Sequence, residues 1–208
     1  MFDSGISAKE LIDELKNTEV DIALDIPDAT YVQWLNALQQ LLYTEVIREQ
    51  NTLIVGNAPD NKIDIEACEV PDGEAQVRFE DVIAIYGIGE TITQLIKSTV
   101  ASGEIFPDSY YKLGTQIGVN VDDTPALYKI VYIVKPALIT TTSHGNVSEG
   151  ANVMVPVEFI DLVKAKLRAE AYKLVNEGDI AANWLNDYNT LLETFKVWMT
   201  KKTANFGL

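Results

Sequence analysis

Leu127-Tyr128-Lys129-Ile130-Val131-Tyr132-Ile133-Val134, followed by Lys135-Pro136, is the longest β-prone run in the chain. Branched and aromatic side chains fit a pleated, half-buried surface. Proline has no amide hydrogen to give a ladder, so regular pairing is expected to stop at Pro136. Upstream, the punctuation continues in the same manner. Thr52-Leu53-Ile54-Val55 ends at Gly56-Asn57, Lys62 to Glu66 alternates with Ile63 and Ile65 on one face, and Pro71-Asp72-Gly73 signals a turn. Val82-Ile83-Ala84-Ile85-Tyr86, Thr91 to Ile96 and Tyr110 to Gly114 read as further strands.

On either side of this β region the period changes from two to 3.6. Ser7-Ala8-Lys9-Glu10 has the S-x-x-E form in which hydroxyl and carboxylate cap each other's amides, and Leu11, Ile12 and Leu15 follow on one side. This helix is expected to end near Asn17. Residues 18–27 read as acidic and irregular. Asp28 is placed as the N-cap of a helix reaching about Arg48, with Tyr31, Trp34, Leu35, Leu38, Leu41, Leu42 and Val46 on its apolar side and Gln33, Asn36, Gln39, Gln40 and Glu45 on the other. After a polar loop over 140–152, Val155-Pro156 opens a long helix with Phe159, Ile160, Val163, Leu167, Ala171, Leu174 and Val175 on its apolar side. Gly178 is read as its C-terminal cap and Asp179 as the cap of the last helix, which carries Trp184, Leu185, Tyr188, Leu191, Leu192, Phe195 and Trp198. So short a junction forces an antiparallel hairpin. The expected fold class is α+β: an antiparallel helical bundle over 1–50 and 153–208, carrying a β-rich insertion over 51–152.

The chain has 208 residues, 31 acidic against 16 basic, a formal net charge of −15. Residues 1–100 hold 19 acids and 6 bases, whereas 101–208 hold 12 and 10. An acidic first half disfavours tight binding to nucleic-acid phosphates, but allows a passage along which DNA slides without sticking; solubility alone is the other explanation. Cys68 is the single cysteine and His144 the single histidine. An intramolecular disulfide, a cysteine-rich metal site and a His-His metal motif are thereby excluded within one chain, and a reducing compartment is expected. No apolar run approaches the roughly 20 residues that span a bilayer. The start, Met-Phe-Asp-Ser-Gly-Ile-Ser, lacks the basic-then-apolar pattern of a signal peptide. A soluble protein made in a cytoplasm is the expectation.

Four groups were weighed for chemistry. Gly87-Ile88-Gly89-Glu90-Thr91 lacks the third glycine of a dinucleotide loop and the lysine of a P-loop, so it reads as a turn or bulge. Asp60 to Asp64 and Asp122-Asp123 lack calcium-loop spacing and read as solvated turns. His144 sits in a Thr/Ser/Gly loop without a nucleophile motif. The helix aromatics lack the interleaved cations of a base-stacking surface and read as core. No catalytic, cofactor or metal residue is assigned, and the chain reads as a non-enzyme. The site it does suggest is an interface on the last helix and tail: Phe195, Trp198, Met199, Lys201, Lys202, Phe206 and Leu208.

The order of these segments resembles the head-to-tail adaptor (connector) family of tailed bacteriophages. The matching stretches are Ser7-Ala8-Lys9-Glu10-Leu11-Ile12, Trp34-Leu35-Asn36-Ala37 through Leu41, Tyr132 to Pro136, Val155 to Ala171, and Trp184 to Leu192; the segment 51–125 matches nothing in the family. The resemblance implies a virion protein, assembled in the host cytoplasm, forming a ring of about a dozen copies beneath the portal. Its implied partners are the portal, tail or nozzle proteins and other copies of itself, with genomic DNA passing through unbound and no membrane involved. Another neck or tail-completion protein, or a module binding a ligand or peptide, are the competing readings.

Overall fold

The computed structural model describes residues 2–18, 26–56, 58–98, 106–121, 125–143, 145–148 and 150–205. Two compact units share the chain: residues 1–47 with 138–208, and residues 48–137.

The first unit holds four helices among its described residues: α1 (Ala8–Thr18), α2 (Asp28–Leu42), α3 (Ile160–Leu174) and α4 (Gly178–Asn205). The capping box forms as its residue types require. The Glu10 amide donates to Ser7 Oγ at 3.1 Å, and the Ser7 amide donates to Glu10 Oε2 at 3.0 Å. The Ser7 amide, and then the Ser7 hydroxyl that donates to the same oxygen at 2.9 Å, hold the Glu10 carboxyl below its ordinary value. Leu11, Ile12 and Leu15 are buried one turn apart. Asp28 is the first residue of α2 rather than its cap, because Pro27 takes that place, and its carboxylate meets Lys16 Nζ at 2.5 Å. α2 gives way to a π-helical turn over Tyr43–Ile47, earlier than the apolar spacing to Val46 suggests.

Asn36 and Gln39, assigned from spacing to the polar side of α2, face the returning chain instead. Asn36 Nδ2 donates to the Ile139 carbonyl at 2.9 Å while its Oδ1 accepts the Ile139 amide at 2.9 Å. Gln39, 1% exposed, accepts the Met154 amide at 2.5 Å. Residues 138–155 have no regular ladder, so their backbone groups need such partners. α3 follows a 3₁₀ turn at Val157–Phe159 and ends at Leu174. Its left-handed end residue is Asn176 (φ 63°), not Gly178, which opens α4. Asparagine tolerates this conformation because its short amide finds local partners. α3 and α4 pack together, and Leu162, Val163, Leu167 and Phe195 on them are buried.

The second unit corrects the expected fold. The β region is not an insertion in a helical bundle; it is a seven-stranded, curled, mixed sheet, a half-barrel that is a core element in its own right. The strands are β1 (Gln50–Val55), β2 (Lys62–Ile63), β3 (Val82–Ile88), β4 (Ile92–Lys97), β5 (Ser109–Leu113), β6 (Gln116–Asn120) and β7 (Leu127–Ile133), in the order β1-β7-β3-β4-β5-β6-β2. All pairs are antiparallel except β4–β5, which are parallel and in register at Ile96↔Ser109 and Lys97↔Tyr110. Alternation around Lys62 to Glu66 yields only a two-residue strand. β6 went unread because its Gly118 breaks the apolar run. Glycine is required there: a Cβ would lie 2.3 Å from the Tyr111 ring, which crosses it from the paired position. Gly87 lies within β3, where an added Cβ would come 2.7 Å from Pro125.

The inner face carries the core of this unit. Leu53, Ile130, Ile85 and Leu95 form one cross-strand row through β1, β7, β3 and β4, all buried. Tyr128, Tyr132, Tyr110, Ile117 and Val119 extend it. The Tyr132 hydroxyl donates to Glu74 Oε2 at 2.6 Å, and Asn51 Nδ2 donates to Glu74 Oε1 at 2.9 Å. Burial first, then the Glu74 carboxylate as acceptor and charge, pushes the Tyr132 phenol far above its ordinary value. Asp81 is 6% exposed and pairs with Lys135.

Two outcomes are expected. All three tryptophans, Trp34, Trp184 and Trp198, belong to the first unit, so their fluorescence reports its unfolding alone. Asn36→Ala should lower its stability by about 1–3 kcal/mol in a urea titration, because two backbone groups lose their partner, while exposed Gln33→Ala stays within about 0.5 kcal/mol. In the sheet unit, Tyr132 is an acid whose folded pKa is raised. Its contribution is complete below the ordinary tyrosine value of about 10 and is lost as pH rises above it. Urea titrations followed by circular dichroism at rising alkaline pH should show that decline, and Tyr132→Phe should make it shallower.

Candidate functional site

The second half of α4 gathers the residues read from sequence as an interface. Phe159, delivered by the 3₁₀ turn after Pro156, meets Phe195 with ring centroids 4.6 Å apart and Trp198 at 5.4 Å. Phe195 and Trp198 lie 6.2 Å apart, and Phe2 closes the cluster 6.0 Å from Trp198. Lys202 Nζ sits 4.1 Å from the Phe2 ring and 4.8 Å from that of Trp198, an arrangement in which the ring faces attract the ammonium. The Phe2 amide donates to the Tyr43 hydroxyl at 3.0 Å, which ties the N-terminal segment to the turn after α2. Further along the hairpin, Arg168 lies 4.6 Å over Trp184 and Lys166 lies 5.4 Å over Tyr188. Burial raises the Tyr188 phenol.

The structure divides the interface residues. Phe195 (0% exposed) and Met199 (8%) are core of their own unit. Trp198 and Lys202 are half-buried and joined to each other, and Lys201 is exposed. Phe206 and Leu208 lie outside the described residues, as do His144, Asp122 and Asp123. Phe159 was read only as a helix-face residue, and Phe2 was not read at all. A single aromatic near a chain end has no period to signal its partner.

The rest of α4 is unusually open. Along 28 residues only Ala181, Tyr188, Phe195 and Met199 are buried among those whose side chains are described, a single line at spacings of seven, seven and four. Ile180 (40% exposed), Leu185 (41%) and Val197 (54%) face outward. A helix packed on one narrow stripe leaves apolar flanks for something else.

Elsewhere, two clefts carry charged groups, some of them paired with one another. A cleft of about 620 Å³ in the first unit is lined by Lys9, Asp13, Asp28, Thr142, Asn146, Val147 and Ser148, but Lys9 binds Asp13 at 2.9 Å and Asp28 binds Lys16. A cleft of about 390 Å³ in the sheet unit is lined by Ile65, Val77, Arg78, Phe79, Glu80 and Lys112, among others. There Lys112 holds Glu80 and lowers its carboxyl. Burial, then the Asp64 charge, pushes the Cys68 thiol up, away from the reactive thiolate. Among the described residues no group of three or more His, Cys, Asp or Glu stands close enough to hold a metal ion. No described helix is long and apolar enough to cross a membrane. Comparison with known proteins finds no family model that matches this chain and no curated protein that matches it.

Phe195→Ala should destabilise the first unit by about 3–5 kcal/mol, as truncation of a buried aromatic does. Lys201→Ala should leave stability within about 0.5 kcal/mol. Thermal melts monitored by tryptophan fluorescence separate the two.

Proposed function

We propose that the chain is a structural subunit of a tailed-bacteriophage virion, a head-to-tail adaptor that joins the capsid vertex to the tail beneath the portal. The observation that carries this reading is α4. At 28 residues it is about 42 Å long. It offers Ile180, Leu185 and Val197 outward while Phe2, Phe159, Phe195 and Trp198 anchor its far half rigidly. A stiff helix with uncovered apolar flanks suits a packing element between subunits. The net charge of −15 supports a role beside passing DNA, since a carboxylate-rich wall does not hold phosphates. The order of the helix and strand-end motifs resembles that of the adaptor family, and this resemblance suggests the particular kind of subunit.

On this reading the portal is the partner of the α4 end, and neighbouring copies complete a closed ring through a repeated head-to-tail contact. Light scattering of the chain alone and mixed with the portal protein of the same phage tests it. A multi-subunit ring, or a large complex formed only with portal, is the expected result. The double variant Leu185→Asp, Val197→Asp alters only outward positions and should keep the helical signal while losing the portal complex. A chain that ignores the portal, or a variant that binds it undiminished, rules the reading out.

A further inference from the structure

The two edges of the half-barrel are built differently. β2, at one edge, is two residues long and carries Lys62, which is exposed. Shortness and lysine are two of the means by which a sheet edge is kept from pairing with another chain. β1, at the other edge, has neither. Gln50–Val55 runs six residues without a charge, a proline or a glycine, and its register against β7 is unbroken from Gln50↔Ile133 to Val55↔Tyr128. Gln50, Thr52 and Ile54 are exposed.

The ladder fixes which backbone groups of β1 stay open. Antiparallel pairs alternate between hydrogen-bonded and non-bonded. The Val134 amide donates to the Glu49 carbonyl at 2.8 Å, one step before Gln50↔Ile133 in the same register. Asn51, Leu53 and Val55 therefore turn their amides and carbonyls towards β7, and Gln50, Thr52 and Ile54 turn theirs away from it. Among the described residues no backbone group meets them on that side. The Thr52 amide is held locally instead, donating to Asn51 Oδ1 at 2.8 Å. We infer that this edge receives an extended segment of a partner protein, which joins the seven-stranded sheet as a further strand beside β1.

The spacing of the open groups selects the occupant. They fall on every second residue, roughly 6.8 Å apart, and only another extended chain presents donors and acceptors at that repeat. A helix has spent its backbone groups within itself, and a lipid surface has no such row. The incoming strand lies beside Thr52 and Ile54, the latter 59% exposed, so β-branched side chains on its matching face pair best with them. Charge narrows the class further. β1 holds no ionic group and the whole chain carries −15, so a segment bearing lysine is attracted and one bearing carboxylates is repelled. The same charge disfavours a second copy of the chain. The inference does not depend on the adaptor reading, since it needs neither the portal nor α4.

A fluorescein-labelled peptide of alternating threonine and valine with lysines at both ends is the probe, and its anisotropy against the full chain reads binding. It should bind saturably, and hydrogen exchange at the Gln50 and Ile54 amides should slow when it does. The same peptide with glutamates at its ends should bind about tenfold more weakly. Thr52→Pro removes an amide that faces away from β7, so the β1–β7 ladder keeps its bonds. This variant should retain the circular dichroism of the wild type while peptide affinity falls roughly tenfold or more. Ile54→Lys leaves the backbone unaltered and should weaken binding several-fold through charge repulsion at the edge. No binding of the lysine peptide, binding undiminished in both variants, equal binding of the glutamate peptide, or protection outside β1 each overturns the inference. A wild-type mass that doubles in sedimentation equilibrium, and does so only while Thr52 is present, assigns the edge to a second copy and overturns it as well.

Discussion

The pairing of β7 with strands on both of its sides is the constraint on which the rest of the chain depends. β1 leaves the sheet unit's first residues and β7 carries its last, and the two run antiparallel from Gln50↔Ile133 to Val55↔Tyr128. The Val134 amide then donates to the Glu49 carbonyl at 2.8 Å. Chain positions 48 and 137 are thereby held at one end of the same ladder. Residues 1–47 and 138–208, separated by some 90 positions in sequence, can then form a single unit without a long connecting loop. Within the sheet the same strand supplies Ile130 to the central row and Tyr132 to the bond with Glu74. Ile130 is wholly enclosed, so a change there is felt on both neighbouring strands.

The two units solve their polar accounting differently. In the sheet unit the ladders pair the backbone groups of β1 to β7 with their neighbours. In the helical unit the segment 138–155 has no ladder, and Ser4, Asn36 and Gln39 take its place. The Ser4 hydroxyl donates to the Val153 carbonyl at 2.8 Å, its amide donates to the same oxygen at 3.1 Å, and the Val153 amide donates to the Ile6 carbonyl at 2.9 Å. Isolated bridges at Ser7↔Asn152 and Thr141↔Val147 complete the pattern. Polar side chains on the N-terminal segment and on α2 thus satisfy part of what a neighbouring strand would satisfy elsewhere. The Lys9–Asp13, Lys112–Glu80 and Lys196–Glu193 pairs are exposed on both sides and contribute little; among the described pairs, Asp81–Lys135 has its carboxylate buried, and its rupture would leave a desolvated charge.

Two apolar areas lie outside the cores. The flanks of α4 and the outer sheet face expose isoleucine, leucine and valine that the chain's own cores do not cover. Scattered exposed apolar residues are ordinary in any protein, but a register-aligned face of them is not. The strong negative charge of the chain favours solubility and opposes close approach of other acidic surfaces.

Local chemistry made part of this legible from the residues alone. Ser7 and Glu10 cap α1 because a four-residue box needs nothing beyond its own turn, and the apolar spacings around Leu35, Leu167 and Tyr188 mark helices because the period is set by backbone geometry. Leu127 to Ile133 is a strand for the same reason, since its side chains favour the pleat wherever it is placed. Tertiary structure decided the rest. The sequence suggested strands but not that they close into one curled sheet with its own core, because strand order is fixed by pairings between distant segments such as β1 with β7. It marked Asn36 and Gln39 as polar but not that they face the returning chain, since their partners lie 103 and 115 residues away. It placed Phe195 and Trp198 together as an interface; burial against Phe159 made the first a core residue, and Phe2 with Lys202 left the second at the surface. Period and capping are short-range and survive in one dimension, whereas which apolar face is covered depends on what the fold brings opposite it.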